Sequence, residues 1–75
     1  MKQFNVSPYY FVVIDTKTNW YYREDWDKVP RCLCCLGMAK VFPNDFEAMK
    51  VTKKFPQFNE VRKIKLVDYG PIKED

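Results

Sequence analysis

The run Tyr9-Tyr10-Phe11-Val12-Val13-Ile14 constrains the fold more than any other part of the sequence. Its residues are aromatic or β-branched at both alternating sets of positions, which is typical of a strand covered on both faces. A chain of 75 residues has room for one core, so this strand belongs in the middle of a small sheet. We predict a single domain over residues 1–75, ordered from about 8 to 69, with a loose C-terminal tail.

A β-hairpin is the clearest local signal. The polar residues 16–19 separate the first strand from a second aromatic run at residues 20–23. Because this turn has no glycine, we expect Asn19 to adopt the left-handed backbone conformation. Residues 24–37 are interrupted by Pro30 and predict a loop with one or two helical turns, and residues 38–42 predict a short strand that Pro43 ends.

A helix is predicted after Pro43. Asn44 is a good N-cap, and Glu47 follows three residues later as in a capping box. Helical spacing places an apolar arc on one face, formed by Ala48, Met49, Val51, Thr52 and Phe55. Pro56 ends the helix.

The last strand is predicted over residues 61–69, with Ile64 and Leu66 on one face and Lys63 and Lys65 on the other. We expect the two lysines to point away from the helix, because a helix covers an apolar face. The order β-β-loop-β-α-β predicts an α+β fold, a small mostly antiparallel sheet of three to four strands with one helix packed on one face.

The composition argues against an enzyme. The chain has no histidine, and its two glycines, Gly37 and Gly70, cannot form a glycine-rich phosphate loop. Cys32, Cys34 and Cys35 provide only three ligands for a zinc ion. We expect no catalytic residues, no metal site within one chain and no cofactor. The cysteines are expected to pack, with a site shared between two chains, an interchain disulfide or a reactive thiol as alternatives.

The cysteine content and the apolar runs also predict a location. An odd number of cysteines favours a reducing compartment. The apolar runs are too short to cross a bilayer, and the first eight residues lack the apolar stretch of a signal peptide. We expect a cytoplasmic protein with no membrane partner.

An aromatic surface is the predicted functional feature. One helix covers one face of a sheet, yet the first strand is apolar on both faces, so some aromatic area should remain uncovered and bind a protein. The predicted binding residues are Tyr10, Trp20, Tyr22, Arg23 and Trp26. Glu24, Asp25 and Asp27 would form an electrostatic rim. A homodimer through the same face is the intermediate alternative.

The alternative function is nucleic-acid or nucleotide binding. It would use a basic surface formed by Lys50, Lys53, Lys54, Arg62, Lys63 and Lys65. A formal net charge of only +3 disfavours it.

Residues 9–68 also carry a resemblance. An aromatic strand pair is followed by Trp26, then by Ala39-Lys40-Val41-Phe42 leading into a capped helix with Glu47-Ala48, and by a last alternating strand. This order resembles small phage-encoded accessory proteins, several of which bind and block host enzymes or antiviral defence systems. The resemblance implies a stoichiometric inhibitor or modulator of a host protein in the host cytoplasm, and it supplies no catalytic residue.

Overall fold

The fold is known from a computed structural model, which describes residues 9–72. A three-stranded sheet has the order β2-β1-β3, and both strand pairs are antiparallel. The regular elements are β1 (Tyr9–Asp15), β2 (Trp20–Tyr21), α1 (Asp45–Lys54) and β3 (Glu60–Lys65). The predicted α+β fold with β1 at the centre of the sheet is therefore confirmed. Residue 8 of the predicted ordered core and residues 73–75 of the predicted tail lie outside the described residues.

One face of β1 packs against the helix. Val13 is fully buried there and forms the core with Ala48, Val51 and Phe58. Phe58 lies in the short connection between α1 and β3, so the core joins the sheet, the helix and the loop that follows it. Burying a side chain as large as Phe58 contributes a few kcal/mol, on the order of 3, to the stability of a domain this small.

The opposite face of β1 is covered as well. Val12 and Ile14 point away from the helix, since side chains alternate along a strand, and they are 0% and 1% exposed. Arg62 lies opposite Val12 on β3, and Tyr21 lies opposite Ile14 on β2. The Arg62 Nη1 atom donates to the Tyr21 hydroxyl at 3.4 Å, so the Arg62 side chain crosses above β1.

The apolar positions of this face are closed, but its aromatic positions are not. Val12 and Ile14 are buried, whereas Tyr10 and Tyr21 are half-buried, and Tyr9 on the helix side is 37% exposed, so part of the aromatic area that the sequence predicts to stay uncovered does reach solvent. The long aliphatic stem of an arginine can lie over apolar groups while its guanidinium meets water and polar partners. Glu60 fixes that guanidinium by an ion pair between Glu60 Oε2 and Arg62 Nε at 2.6 Å.

The hairpin forms as predicted. Residues 16–19 connect β1 to β2, and Asn19 has a φ of 63°, the left-handed conformation that Asn tolerates better than most residues. The turn is also tied to the start of β3. Thr16 N–H donates to Asn59 Oδ1 at 3.1 Å, and Asn59 Nδ2 donates to Thr16 Oγ1 at 3.0 Å.

The helix begins at the predicted cap. The Asn44 side chain accepts a hydrogen bond from the Glu47 N–H at 2.8 Å. The Glu47 carboxylate pairs with Lys50 Nζ at 3.2 Å instead of returning to Asn44 as a capping box would require. The predicted apolar arc is right for Ala48 and Val51 but wrong for Met49, which is exposed.

Three other elements differ in extent from the prediction. The predicted loop at residues 24–37 does contain helical turns, and they are two 3-10 turns at Arg31–Leu33 and Leu36–Met38. The second of these takes up the start of the predicted strand at 38–42, of which only a single bridge between Phe42 and Phe11 forms. β3 ends at Lys65 rather than at residue 69, since β1 begins at Tyr9, the partner of Lys65.

Substitution of the helix cap should lower stability in a specific way. We expect Asn44→Ala to reduce the free energy of unfolding by about 1 kcal/mol, because the Glu47 N–H loses its acceptor. Asn44→Asp keeps an acceptor at the same place and should stay within a few tenths of a kcal/mol of the wild type. Urea unfolding followed by circular dichroism measures both variants. Equal losses for the two would show that the cap is not the cause.

Candidate functional site

The five predicted binding residues do not share one surface. Trp20 and Tyr22 lie on the helix side of the sheet, because they are opposite Asp15 and next to Val13 along the hairpin. Trp26 packs against the same core. Tyr10 lies on the other face, in register with Ile64. A partner that contacts Trp20 from the helix side would therefore not reach Tyr10.

Tyr22 and Trp26 belong mainly to an aromatic cluster inside the domain. The Tyr22 ring stacks on Phe55 at 6.0 Å between centroids and meets Phe58 edge-on at 5.4 Å. The Trp26 ring meets Phe55 and Phe58 edge-on at 5.7 and 5.2 Å. Edge-to-face and offset pairs of this kind stabilise a core beyond the area they bury. Both rings are half-buried, so their surroundings assign them to packing first.

Two arginines hold the cysteine-containing segment against the hairpin. Arg31 places its guanidinium carbon 5.3 Å from the Trp20 ring centroid and 5.1 Å from that of Trp26, and its Nη1 donates to the Trp26 carbonyl. Arg23 Nη1 donates to the Leu33 carbonyl at 3.2 Å. Trp20, Arg23 and Trp26 thus support this segment, and Arg31 is the residue between the two indoles.

The Arg23 side chain is itself fixed by Asp25. Arg23 Nε donates to Asp25 Oδ1 at 2.6 Å, and Nη2 donates to Oδ2 at 3.2 Å. This two-point hydrogen bond lowers the pKa of Asp25 below its ordinary value of 3.8 and raises the pKa of Arg23. Asp25 is therefore engaged with Arg23 rather than forming an open acidic rim.

Residues 31–42 form an exposed apolar segment that is hydrogen-bonded to the hairpin, and we call them the apolar loop. Other apolar side chains face water at Phe46 and, after β3, at Leu66, Val67, Tyr69 and Ile72. The large side chains of the apolar loop that face water are Leu33, Leu36, Met38 and Val41, with Leu36 49% and Met38 47% exposed. The backbone of this loop is held to β2 by hydrogen bonds from Tyr21 N–H to Cys34 O at 2.7 Å and from Lys40 N–H to Tyr22 O at 2.9 Å. The loop is ordered and yet presents apolar groups.

The three cysteines differ in their surroundings. Cys34 is 2% exposed and packs as predicted, whereas Cys32 and Cys35 are exposed. Within residues 9–72 there is no group of three or more cysteine, histidine or acidic side chains arranged to hold a metal ion.

A groove lies between α1 and the segments 22–24 and 40–42, with a volume of about 180 Å³. Its apolar floor is formed by Tyr22, Phe42, Val51 and Phe55, and its charged margin by Glu24, Lys40, Glu47, Lys50 and Lys54. The Tyr22 hydroxyl has a raised pKa, because burial disfavours the phenolate, and so it remains a neutral donor over the physiological range. Lys54, whose Nζ lies 5.4 Å from the Phe55 ring centroid, has no carboxylate partner among the described residues.

A second, wider depression of about 430 Å³ adjoins the groove. Arg23, Asp25, Met38 and Ala39 line it, together with Glu24 and Lys40, which also line the groove. Lys40 Nζ and Glu24 Oε1 form an ion pair at 2.9 Å, and this pair lies between the groove and the wider depression. The hydrogen bond to Glu24 raises the pKa of Lys40, so the Lys40 ammonium stays charged at neutral pH.

The predicted basic surface is divided by the sheet. Arg62 lies on the face away from the helix, and Lys63 and Lys65 lie on the same face as Val61, which packs on the core. The expectation that these two lysines point away from the helix is therefore wrong, because Val61 rather than Ile64 is the core residue of β3. Lys63 Nζ lies 4.3 Å from the Tyr9 ring centroid.

The three lysines of the helix differ in whether they form an ion pair. Lys50 pairs with Glu47 and lies 5.2 Å from the ring of the exposed Phe46. Lys53 and Lys54 form no ion pair within residues 9–72. The six predicted residues thus do not form one continuous stripe, since Arg62 is on the opposite face.

Sequence reasoning missed Leu33, Leu36, Met38 and Val41. The signal was present, because residues between Pro30 and Pro43 that cannot form a long strand or helix have few ways to bury an apolar side chain. Because cysteine is often buried, the three cysteines were expected to pack. Of the three, only Cys34 is buried.

Comparison with family models, with curated proteins and with solved structures found no match to this chain. The helices among residues 9–72 include none of the length and apolar character that a membrane span needs.

The pairing of Arg23 with Asp25 predicts a pH-dependent contribution to stability. The folded pKa of Asp25 is lowered, so the ion pair should contribute fully above the ordinary value of 3.8 and be lost as the pH falls through the folded pKa. We expect Asp25→Asn to lower the urea midpoint at about pH 7 and to match the wild type at about pH 2.

Asp27→Asn provides the matched control for that measurement. Asp27 lies in the same turn but forms no ion pair with any described residue, so its substitution should leave the midpoint nearly unchanged at both pH values. Equal effects of the two substitutions at neutral pH would argue against a specific role of the Arg23 pairing.

Proposed function

We propose that this protein acts by binding another protein stoichiometrically through the apolar loop and the adjoining groove, without catalysis. The observation that carries the proposal is the exposure of Leu33, Leu36, Met38 and Val41 on one ordered segment. Exposed apolar groups that are clustered and bordered by charges are typical of protein interaction sites.

The order of the loop supports a binding role. A surface that is held in place before binding loses less conformational entropy when a partner docks. Arg31 between Trp20 and Trp26, and Arg23 on the Leu33 carbonyl, hold the loop in this way. The predicted binding residues then act largely behind the contact surface, as its support.

The two depressions extend the surface beyond the loop. Met38 lies at the margin of the wider depression, and the Lys40–Glu24 pair separates this depression from the aromatic groove. A partner that lays apolar side chains on the loop could insert an aromatic or aliphatic side chain over Tyr22 and Phe55. Lys54, which has no carboxylate partner among the described residues, favours an acidic group beside that side chain.

The narrower proposal is that the partner is a host protein, such as a component of an antiviral defence system. It is supported by the resemblance of residues 9–68 to small phage-encoded proteins that block host proteins. The mechanism would then be steric occupation of a site on the partner.

Photo-crosslinking from the loop tests the proposal. A photoreactive amino acid placed at Leu36 should crosslink to a protein present in host lysate at a stoichiometry near one to one, as read by mass spectrometry. Leu36→Asp with Met38→Asp should lower capture of the same protein by at least about tenfold, because each buried apolar side chain contributes about 1.5 kcal/mol or more.

Met49→Asp is the matched control, since Met49 is as exposed as Met38 but lies on α1 away from the loop. Capture should survive this substitution and nuclease treatment of the lysate. The proposal fails if Met49→Asp weakens capture as much as the loop variant does. It also fails if capture disappears with nuclease or falls steeply with moderate salt, which would indicate nucleic-acid binding.

A further inference from the structure

The two edges of the sheet differ within residues 9–72. The outer edge of the β2 hairpin arm is occupied by the apolar loop, through the bonds of Tyr21 N–H to Cys34 O and of Lys40 N–H to Tyr22 O. β3 pairs with β1 on one side, and its other side has no backbone hydrogen-bond partner among the described residues. Within the described residues, β3 is thus the edge whose outer side is open.

The hydrogen-bond pattern of β1 identifies the open groups. Phe11 exchanges both backbone hydrogen bonds with Phe42, at 2.9 and 2.8 Å, so its N–H and C=O point away from β3. Opposed residues in an antiparallel pair alternate between exchanging both bonds and exchanging none. Phe11 faces Lys63, and therefore Lys63 directs its own N–H and C=O outward.

The same alternation applies along the strand. Val61 and Lys65 also direct their backbone groups outward, whereas Arg62 and Ile64 direct theirs to β1. Three of the six residues of β3, namely Val61, Lys63 and Lys65, thus provide a row of donors and acceptors on which an extended segment can pair.

Charge decides which segment fits this edge. Lys63 and Lys65 project on one face of β3 and Arg62 on the other, and only Arg62 has a carboxylate partner, Glu60, among the described residues. Opposite charges directly across a strand pair are stabilising, and like charges are destabilising.

A second copy of this chain fits poorly. In an antiparallel pair, outward residues oppose outward residues, so pairing of two β3 strands about their centre would place Arg62 against Arg62 or Lys63 against Lys63, depending on register. Each arrangement opposes two cations. A strand that carries acidic side chains at alternate positions meets cations instead.

We propose that the β3 edge binds an extended acidic segment of a partner protein by strand addition, with carboxylates opposite Lys63 and Lys65. This site is separate from the apolar loop and does not depend on the function proposed for that loop. Main-chain hydrogen bonds supply most of the affinity, and the lysines select an acidic strand.

The test uses a capped six-residue peptide of alternating valine and glutamate, equal to β3 in length, and a control peptide with lysine in place of glutamate. Amide hydrogen exchange of the full chain is measured by NMR with each peptide in excess. The acidic peptide should slow exchange of the outward Lys63 and Lys65 amides at least about tenfold, and leave the Arg62 amide, already bonded to β1, unchanged. The lysine peptide should change neither.

Two variants separate backbone pairing from charge. Lys63→Pro removes the outward N–H and should weaken binding of the acidic peptide at least about tenfold, whereas Lys63→Gln keeps the N–H and should weaken it only about threefold. Slow exchange of the Arg62 amide in Lys63→Pro checks that the inner ladder is intact. Leu36→Asp with Met38→Asp should bind the peptide as the wild type does.

Three results would overturn the proposal. These are absence of any exchange change at millimolar acidic peptide, binding without slowed exchange at Lys63, and equal binding of the lysine peptide. The exchange pattern is read on the unsubstituted protein, so the conclusion stands even if Lys63→Pro does not fold.

Discussion

The whole domain depends on shielding one strand from water on both sides. β1 carries Val13 on one face and Val12 and Ile14 on the other, and all three are buried. The helix and Phe58 enclose the first face, and an arginine that reaches from β3 to a tyrosine on β2 crosses the second. The described residues form one α-helix, which covers one face of the sheet, and the arginine–tyrosine hydrogen bond spans the other face.

This solution determines where apolar surface remains. Because both faces of β1 are closed, the aromatic residues of the hairpin serve mainly as packing and as support. On the segment that lies along the β2 edge, by contrast, the apolar side chains of Leu36 and Met38 are exposed although the backbone is hydrogen-bonded to the hairpin. The binding surface that we propose is therefore a property of the loop rather than of the hairpin that was predicted to form it.

Features that depend on neighbouring residues were predictable from the sequence. The central strand, the hairpin with Asn19 in a left-handed conformation and the helix starting after Asn44 are all present, since each follows from local backbone chemistry. Features that depend on which side chains meet across the sheet could not be predicted from the sequence. Nothing in the spacing of β3 indicates that Arg62 crosses β1, and the face of Lys63 followed from Val61 joining the core, which is a tertiary contact.

The covering of the β2 edge by the apolar loop also limits growth of the sheet. A fibril grows when each molecule pairs its sheet with two neighbours, so each molecule needs two open sheet edges. In residues 9–72 one edge is already occupied by the chain itself. Copies of this chain therefore have only the β3 edge to offer within the described residues, and strand pairing between copies would end at two.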